Sequence, residues 1–404
     1  MRQLFHVPRA WFTAILICVG IVSIGVVLNA QLPKLAVPFA TPSTRNAAAI
    51  VPKPDGAQLK VPAGFEMSVY ADNLDRPRLM VPAPNGDLFV AQSAAGSVVV
   101  LRDVNNDGTP EMRSVYAQGL TGVFGIAFHE GYVYLGRTDS IVRFKYQAGD
   151  TTANGAPEKL VDLPTGGHST RNVLFSRDGK KMYVAVGSQS NKSAGENPIR
   201  AAINEYNPDG TGQRIFAAGL RNPVGLTWQP GTDTLWTAVN ERDTLGDDLV
   251  PDYITSVKDG GFYGWPYSYI GSNPDPEHVG KMPDLVKRAI VPDVLIPAHS
   301  AAPGITFYTG SQFPQHYRDG AFVGLHGSWN RSQLAGYRVA FVPFQNGKPS
   351  GPPEDFVTGW IINGGNPGTA WGRPVAPFVA KDGSLLISDD GSNKIWRVRY
   401  TGTR

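Results

Sequence analysis

The sequence predicts an all-β fold, a six-bladed β-propeller behind an N-terminal transmembrane anchor or signal segment. Three observations carry this reading. A turn followed by a short apolar strand recurs six times, and no ten-residue helical pattern lies between the copies. The chain has 46 Gly and 33 Pro in 404 residues, above ordinary usage of roughly 7% and 5%, so turns are frequent. With 42% hydrophobic residues it still has enough apolar side chains to build a core, which argues against disorder.

From the N-terminus, Trp11 to Leu28 is an uncharged run preceded by Arg2 and Arg9, with no charge after it until Lys34. A stretch of this length just reaches across a bilayer, and the basic flank keeps the N-terminus cytoplasmic, so the remainder is exported. Ala30 offers one small residue for signal cleavage, but Leu28 fits poorly two positions before it, and a retained anchor is favoured. Residues 1–30 are thus the signal or anchor. Residues 31–55, rich in Pro and Ala, read as a tether holding the domain away from the membrane. Residues 56–404 form the propeller.

Its repeats begin Asn85-Gly86, Gly131, Asp178-Gly179, Gly231, Asp319-Gly320 and Asp382-Gly383, each followed by an apolar strand and most preceded by another. Asn-Gly and Asp-Gly between two such strands are hairpin signals. The glycines are 45, 48, 52, 89 and 63 residues apart, so the long interval holds one blade plus an insertion near 241–300. A pair of β-sandwiches would break in composition midway, and no break occurs.

Equivalent positions of a radial repeat lie at equivalent distances from its axis. Just before the first strand of each hairpin stand Arg76-Pro77, Gly122-Val123, Arg171-Asn172, Arg221-Asn222-Pro223, Ala302-Pro303 and Arg373-Pro374. Arg171, Arg221, Asn222 and Arg373 are therefore expected at one mouth of the channel, with His168 and His299 slightly upstream. Guanidiniums gathered on one axis repel unless they face an anion; alternatively each ties one blade to the next through backbone carbonyls. His168 lies in the polar loop Gly166-Gly167-His168-Ser169-Thr170-Arg171-Asn172, a suitable place for a general base. His299 and His326 are rivals.

The insertion carries Glu241-Arg242-Asp243 through Asp247, Asp248 and Asp252, then Gly260 to Pro266. Carboxylates on irregular backbone suit calcium, or form a solvated acidic loop. Asp103, Asn105 and Asp107 match the first half of an EF-hand loop, but Ser114 stands where its Glu belongs, so a surface calcium competes with a plain hairpin tip. The net charge is +3, with two positive charges in the leader, which excludes the basic surface of a nucleic-acid binder. Cys18 is the only cysteine, so the domain has no disulfide framework, no Cys-ligated zinc and no thiol nucleophile. P-loop, dinucleotide-fold, nucleophile-elbow and zincin motifs do not occur.

The His168 loop, Gly219-Leu220-Arg221-Asn222-Pro223, Gly261-Phe262-Tyr263-Gly264-Trp265-Pro266, and Gly372-Arg373-Pro374 with Asp389-Asp390 resemble, in this order, the soluble quinoprotein glucose/sorbosone dehydrogenases and their sorbosone dehydrogenase-like branch. The resemblance spans about 55–400. It implies a six-bladed propeller that binds pyrroloquinoline quinone (PQQ) and calcium and oxidises sugars outside the cytoplasm. By position, His168 resembles the base, with Arg221 and Asn222 over the quinone carbonyl and Arg373 on a PQQ carboxylate. His326 and Arg331 fall on the cofactor side, and Gln92, Arg171 and His299 on the substrate side. Gly246, Asp247, Asp252 and Tyr263 fall in the calcium region. Two departures stand out: His326 where glucose-oxidising members carry Lys, and Tyr253 where they carry Glu. The expected activity is oxidation of a sugar or sugar aldehyde, with the electron acceptor left open. A calcium-dependent lactonase or hydrolase on the same fold, and a propeller that only binds glycans or a partner, are the alternatives.

Overall fold

Turn chemistry sets the pattern. All six hairpin glycines fall between the first and second strands of an antiparallel sheet, as at Gly86, whose φ of 95° only glycine adopts freely. In the hairpin at Gly320 the left-handed residue is instead Asp319, with φ 62°.

The computed structural model describes residues 1, 34–105 and 107–402. The apolar run at 11–28 lies outside the described residues. Among the described residues no helix is long and apolar enough to cross a membrane, and helix is confined to Pro283–Lys287 and a short turn at Gln315–Tyr317.

Six antiparallel sheets follow one another. Their first strands are Pro77–Pro82, Gly125–His129, Arg171–Phe175, Pro223–Trp228, Gly304–Phe307 and Pro374–Val379, and these pack side by side in a closed cycle. Each interface between neighbouring sheets holds its own apolar cluster. The period of two explains how one strand serves two clusters. In Leu88–Gln92, Leu88 and Val90 pack towards the sixth sheet, while Phe89 and Ala91 pack towards the second. Second strands therefore read as continuous apolar runs.

The first strands enclose an axial cavity of about 390 Å³ lined from all six sheets. Near their N-terminal ends the axis is filled by Phe124, Val224, Val375 and Ala376, with Leu79 against them. This apolar plug is the floor on which the candidate site rests.

The cycle is completed by a strand the hairpin repeats do not show. Phe65–Ala71 pairs antiparallel with Lys394–Tyr400, from Phe65 opposite Tyr400, and so supplies the fourth strand of the sixth sheet. The long interval also resolves: its extra chain forms a loop at 240–251 and an excursion at 257–293. Part of that excursion, Gly261–Phe262, adds in parallel to the edge of the third sheet.

Residues 35–60 correct the tether reading. They form a strap bonded across the loops of the fourth, fifth and sixth sheets. Phe39 N donates to Leu245 O at 2.8 Å, and Thr41 Oγ1 accepts from Asp247 N at 2.7 Å. Asn46, 3% exposed, donates through Nδ2 to Ser332 O and Gly365 O and accepts from Gly368 N. Ala49–Ile50 then pairs in parallel with Thr369–Ala370. Short polar and apolar side chains on a proline-rich extended backbone suit such lateral bonding, which composition alone reads as linker.

Asn46→Ala removes three side-chain hydrogen bonds at a buried position and should destabilise the fold by about 2–4 kcal/mol. The check is the denaturant midpoint; an unchanged midpoint would show that the strap does not contribute to stability.

Candidate active site

The site is built on residues one to three positions upstream of the plug. Arg221 and Asn222 precede Val224, Arg373 precedes Val375, and Arg78 immediately precedes Leu79.

His168 is held by the loop beside it. Its Nδ1 lies 2.9 Å from Ser188 O and 3.1 Å from Ser188 Oγ, and its backbone N–H donates to the same carbonyl. A carbonyl only accepts, so Nδ1 carries the proton and Nε2 keeps its lone pair. Burial first, and the Arg221 charge second, lower its pKa from 6.5 to about 4. The imidazole is therefore a neutral base at physiological pH.

Arg171 does not line the mouth. It is fully buried, and its guanidinium donates to His168 O, Thr170 O and Pro164 O. Arg200, unremarked in the sequence, donates to Gly187 O and to the carbonyls of Pro164, Thr165 and Gly166. Together they position the His168 loop, which is the inter-blade tie that the sequence left as an alternative.

Arg221 is equally committed. It donates to Asn191 O, Asn240 O, Glu241 O and Asn191 Oδ1, and pairs with Asp243 at 3.2 Å. Beside it Asn222 is 5% exposed, and its Oδ1 is buried without a partner. A Cβ on Gly187 would come within 2.3 Å of that oxygen, so glycine is what lets the loop approach.

His299 is a cation and not a rival base. Its Nδ1 faces Asp243 Oδ1 at 3.1 Å and its Nε2 faces Gly246 O at 2.9 Å, so both nitrogens donate. Burial opposes the charge, but the bonds to Asp243 and Gly246 outweigh it and raise the pKa.

On the other side of the plug, His326 Nε2 donates to Asp390 Oδ1 at 2.7 Å, leaving Nδ1 with the lone pair. Burial lowers its pKa to about 4; Asp390 opposes this and Arg373 adds to it. Arg373 donates to His326 O at 3.2 Å and Gly327 O at 3.3 Å, and its Nη1 has no protein partner among the described residues. Arg78 pairs with Asp390 at 2.9 Å and lies 5.6 Å from the centre of the Phe124 ring. In the first sheet the repeat position falls on Arg76, which is exposed, and not on Arg78 two positions later.

Several expected contacts are engaged elsewhere. Gln92, 7% exposed, accepts from Asp75 N and donates to Ser97 Oγ within its own sheet. Arg331 donates to Asp247 O and Asp248 Oδ1, tying two loops together. The Tyr263 hydroxyl donates to Ser256 O and accepts from Lys258 N, away from the 246–247 carbonyls. Those carbonyls already accept from His299 and Arg331.

Asp252 and Glu241 are different. Both are almost fully buried, and their carboxylates accept only from backbone N–H groups: Glu241 N and Ala301 N for Asp252, Arg242 N for Glu241. Burial pushes Glu241 up to about 8 and Asp252 to about 7. At the surface, Asp103, Asp107 and Glu111 bring carboxylate oxygens within 4.8 Å of one another. Asn105 donates there to Asp107.

A PQQ-dependent pyranose dehydrogenase of Coprinopsis cinerea is 25% identical over 404 residues, covering 85% of this chain; the chain spans only 54% of that protein's length. The holo form of the C. cinerea pyranose dehydrogenase PQQ domain superposes with a TM-score of 0.73 at 21% identity, over 86% of this chain and 98% of that domain. A calcium structure of a Trichoderma reesei family AA12 carbohydrate-active enzyme gives 0.74 at 20% identity, over 88% and 99%. These two likenesses are of fold. The family model described as TrAA12-like matches residues 59–252 and 285–401, well over half the sequence, and the chain belongs to that family.

Proposed function

We propose that this protein is a PQQ- and calcium-dependent dehydrogenase of a pyranose or related aldose, built as a six-bladed propeller whose six sheets are the blades. We further propose that it acts outside the cytoplasm, behind its N-terminal apolar segment. The observation that carries the reading is the unsatisfied part of the site. A neutral His168 with its Nε2 lone pair free and a buried, unpartnered Asn222 Oδ1 flank a plug that also bears Arg373 with a free donor. The names of the relatives support it: one is a PQQ-dependent pyranose dehydrogenase, and another structure is a calcium form.

The residues present fit PQQ. Its carboxylates would meet Arg373, its flat ring system would lie over the plug, and Asn222 would satisfy its orphaned oxygen on a ring N–H. They also fit a cation at Asp252 and Glu241, buried carboxyls with no side-chain hydrogen-bond donor whose ionised form a cation would favour, more than at the Gly246 and Asp247 carbonyls. The bound quinone supplies the hydride-accepting carbonyl.

The chain's own part is proton handling and orientation. His168 Nε2 accepts the proton of the sugar hydroxyl while Ser188 holds the ring from Nδ1. Arg171 and Arg200 keep the loop in register. Burial first, and the nearby Arg221 charge second, keep the imidazole uncharged. A base facing a hydroxyl favours the cyclic hemiacetal of an aldose over a free aldehyde of the sorbosone type, which must first be hydrated.

Titrating the apo-protein with PQQ and calcium should give saturable binding and a raised melting temperature. Absence of both would overturn the reading and leave the hydrolase and glycan-binding alternatives.

His168→Gln should lower kcat on an aldose about 10²–10⁴-fold while PQQ still binds. Retained turnover would remove His168 from the base role.

The pH profile has a defined sign. A histidine with a lowered pKa accepts a proton from substrate only above that pKa, so kcat/KM should be level from about pH 6 upward. It should fall as pH drops through about 4. His326 titrates in the same region, so the acid limb should persist in His326→Gln if it belongs to His168.

A further inference from the structure

The buried guanidiniums that hold the His168 loop and its neighbours each make several hydrogen bonds, although Arg171 and Arg200, like Arg78, leave a buried Nε without a partner. Arg171 makes three hydrogen bonds to carbonyls, Arg200 four, and Arg221 five to carbonyl and side-chain oxygens. Arg78 breaks the pattern. It makes one hydrogen bond, from Nη1 to Asp390, and its Nε is buried with no partner. A guanidinium has five N–H donors, so Arg78 reaches the site with most of its capacity open.

Its surroundings say what is missing. Two guanidiniums, Arg78 and Arg373, share one carboxylate, Asp390, which already takes the Nε2 proton of a neutral His326. The neighbouring carboxylate, Asp389, spends its oxygens on backbone N–H groups and on the Trp360 and Trp396 ring N–H groups. Arg78 also lies over the Phe124 face, on the plug itself, where an occupant of the site would rest. A half-buried cation, its side chain 21% exposed, with open planar donors beside an apolar floor is complementary to a carboxylate on a flat ring system.

We infer that Arg78 is a carboxylate-binding residue of the site, acting with Arg373, and that Asp390 is the positioning residue that orients Arg78 and His326. The inference rests on the proposed PQQ reading and adds a contact that neither the repeat pattern nor the family resemblance assigns. Arg78 comes from the first sheet, and it brings the cofactor-facing surface of that sheet into the site in place of Gln92.

The test compares PQQ with its trimethyl ester, which keeps the ring system and loses the carboxylate charges. Binding to the apo-protein with calcium is followed by the ligand's absorbance, with the melting temperature of each variant as the folding control. Arg78→Gln should weaken PQQ binding about 10–100-fold, the scale of a lost charge-assisted hydrogen-bond pair, and leave the weaker ester binding unchanged. Raised salt should narrow the gap between wild type and variant. Arg78→Lys keeps a charge beside Asp390 and should recover part of the loss, and it carries the same comparison if the glutamine variant folds poorly. Equal weakening of PQQ and ester would show that Arg78 only supports the fold, and unchanged PQQ affinity in Arg78→Gln would remove it from the site; either result overturns the inference while the PQQ reading stands. Wild type that binds no PQQ overturns both.

Discussion

The second strands of the six large sheets bury both faces, and that constraint governs the rest. A sheet with two apolar faces needs a neighbour on each side, so a row of six is stable only if its ends meet. The ends meet through Phe65–Ala71 on Lys394–Tyr400, and Phe65 packs edge-on against Phe313 and Phe356 in the cluster that joins the fifth and sixth sheets. Closure is what gives the molecule an axis. Without an axis the residues upstream of the first strands would have no common place to meet.

The axis is filled, and the filling decides the chemistry. Phe124, Val224, Val375 and Ala376 close the centre with apolar side chains, which lowers the local dielectric and makes every charge around it costly unless paired. The protein meets that cost in two ways. Arg171 and Arg200 donate to backbone carbonyls, and Arg221 to carbonyls, Asn191 and Asp243, and so they become supports for the His168 loop and its neighbours. Arg78, with one hydrogen bond, and Arg373, with two to backbone carbonyls, are less committed, and that difference in satisfaction does not follow from position in the repeat.

The same desolvation sorts the histidines. His168 and His326 each have one nitrogen bonded and one lone pair left, so burial holds them neutral. His299 faces an acceptor from both nitrogens and is held as a cation with Asp243 and Gly246. Three histidines at comparable places in the chain thus have three different proton inventories. The strap at 35–60 contributes by fixing the loops at 245–247 and 329–332, from which Arg331 and His299 take their partners.

The sequence by itself determined the all-β class and the six hairpins, because turn glycines and alternating apolar strands are local properties written in consecutive residues. The TrAA12-like match agrees with the quinoprotein resemblance carried by those motifs. Only the tertiary structure decided which polar residues remain free. Whether Arg171 faces a ligand or three carbonyls depends on where Pro164 and Thr170 place their oxygens. Whether Gln92 is available depends on Asp75 and Ser97. Arg78 was passed over because its significance comes from Asp390, 312 positions away in sequence and 2.9 Å away in space. The proline-rich strap was misread for the same reason, since its hydrogen-bonding partners lie about 200 to 320 residues further along the chain. Local pattern specifies elements; satisfaction of buried polar groups is a property of the whole fold, and the function depends on the few groups the fold leaves unsatisfied.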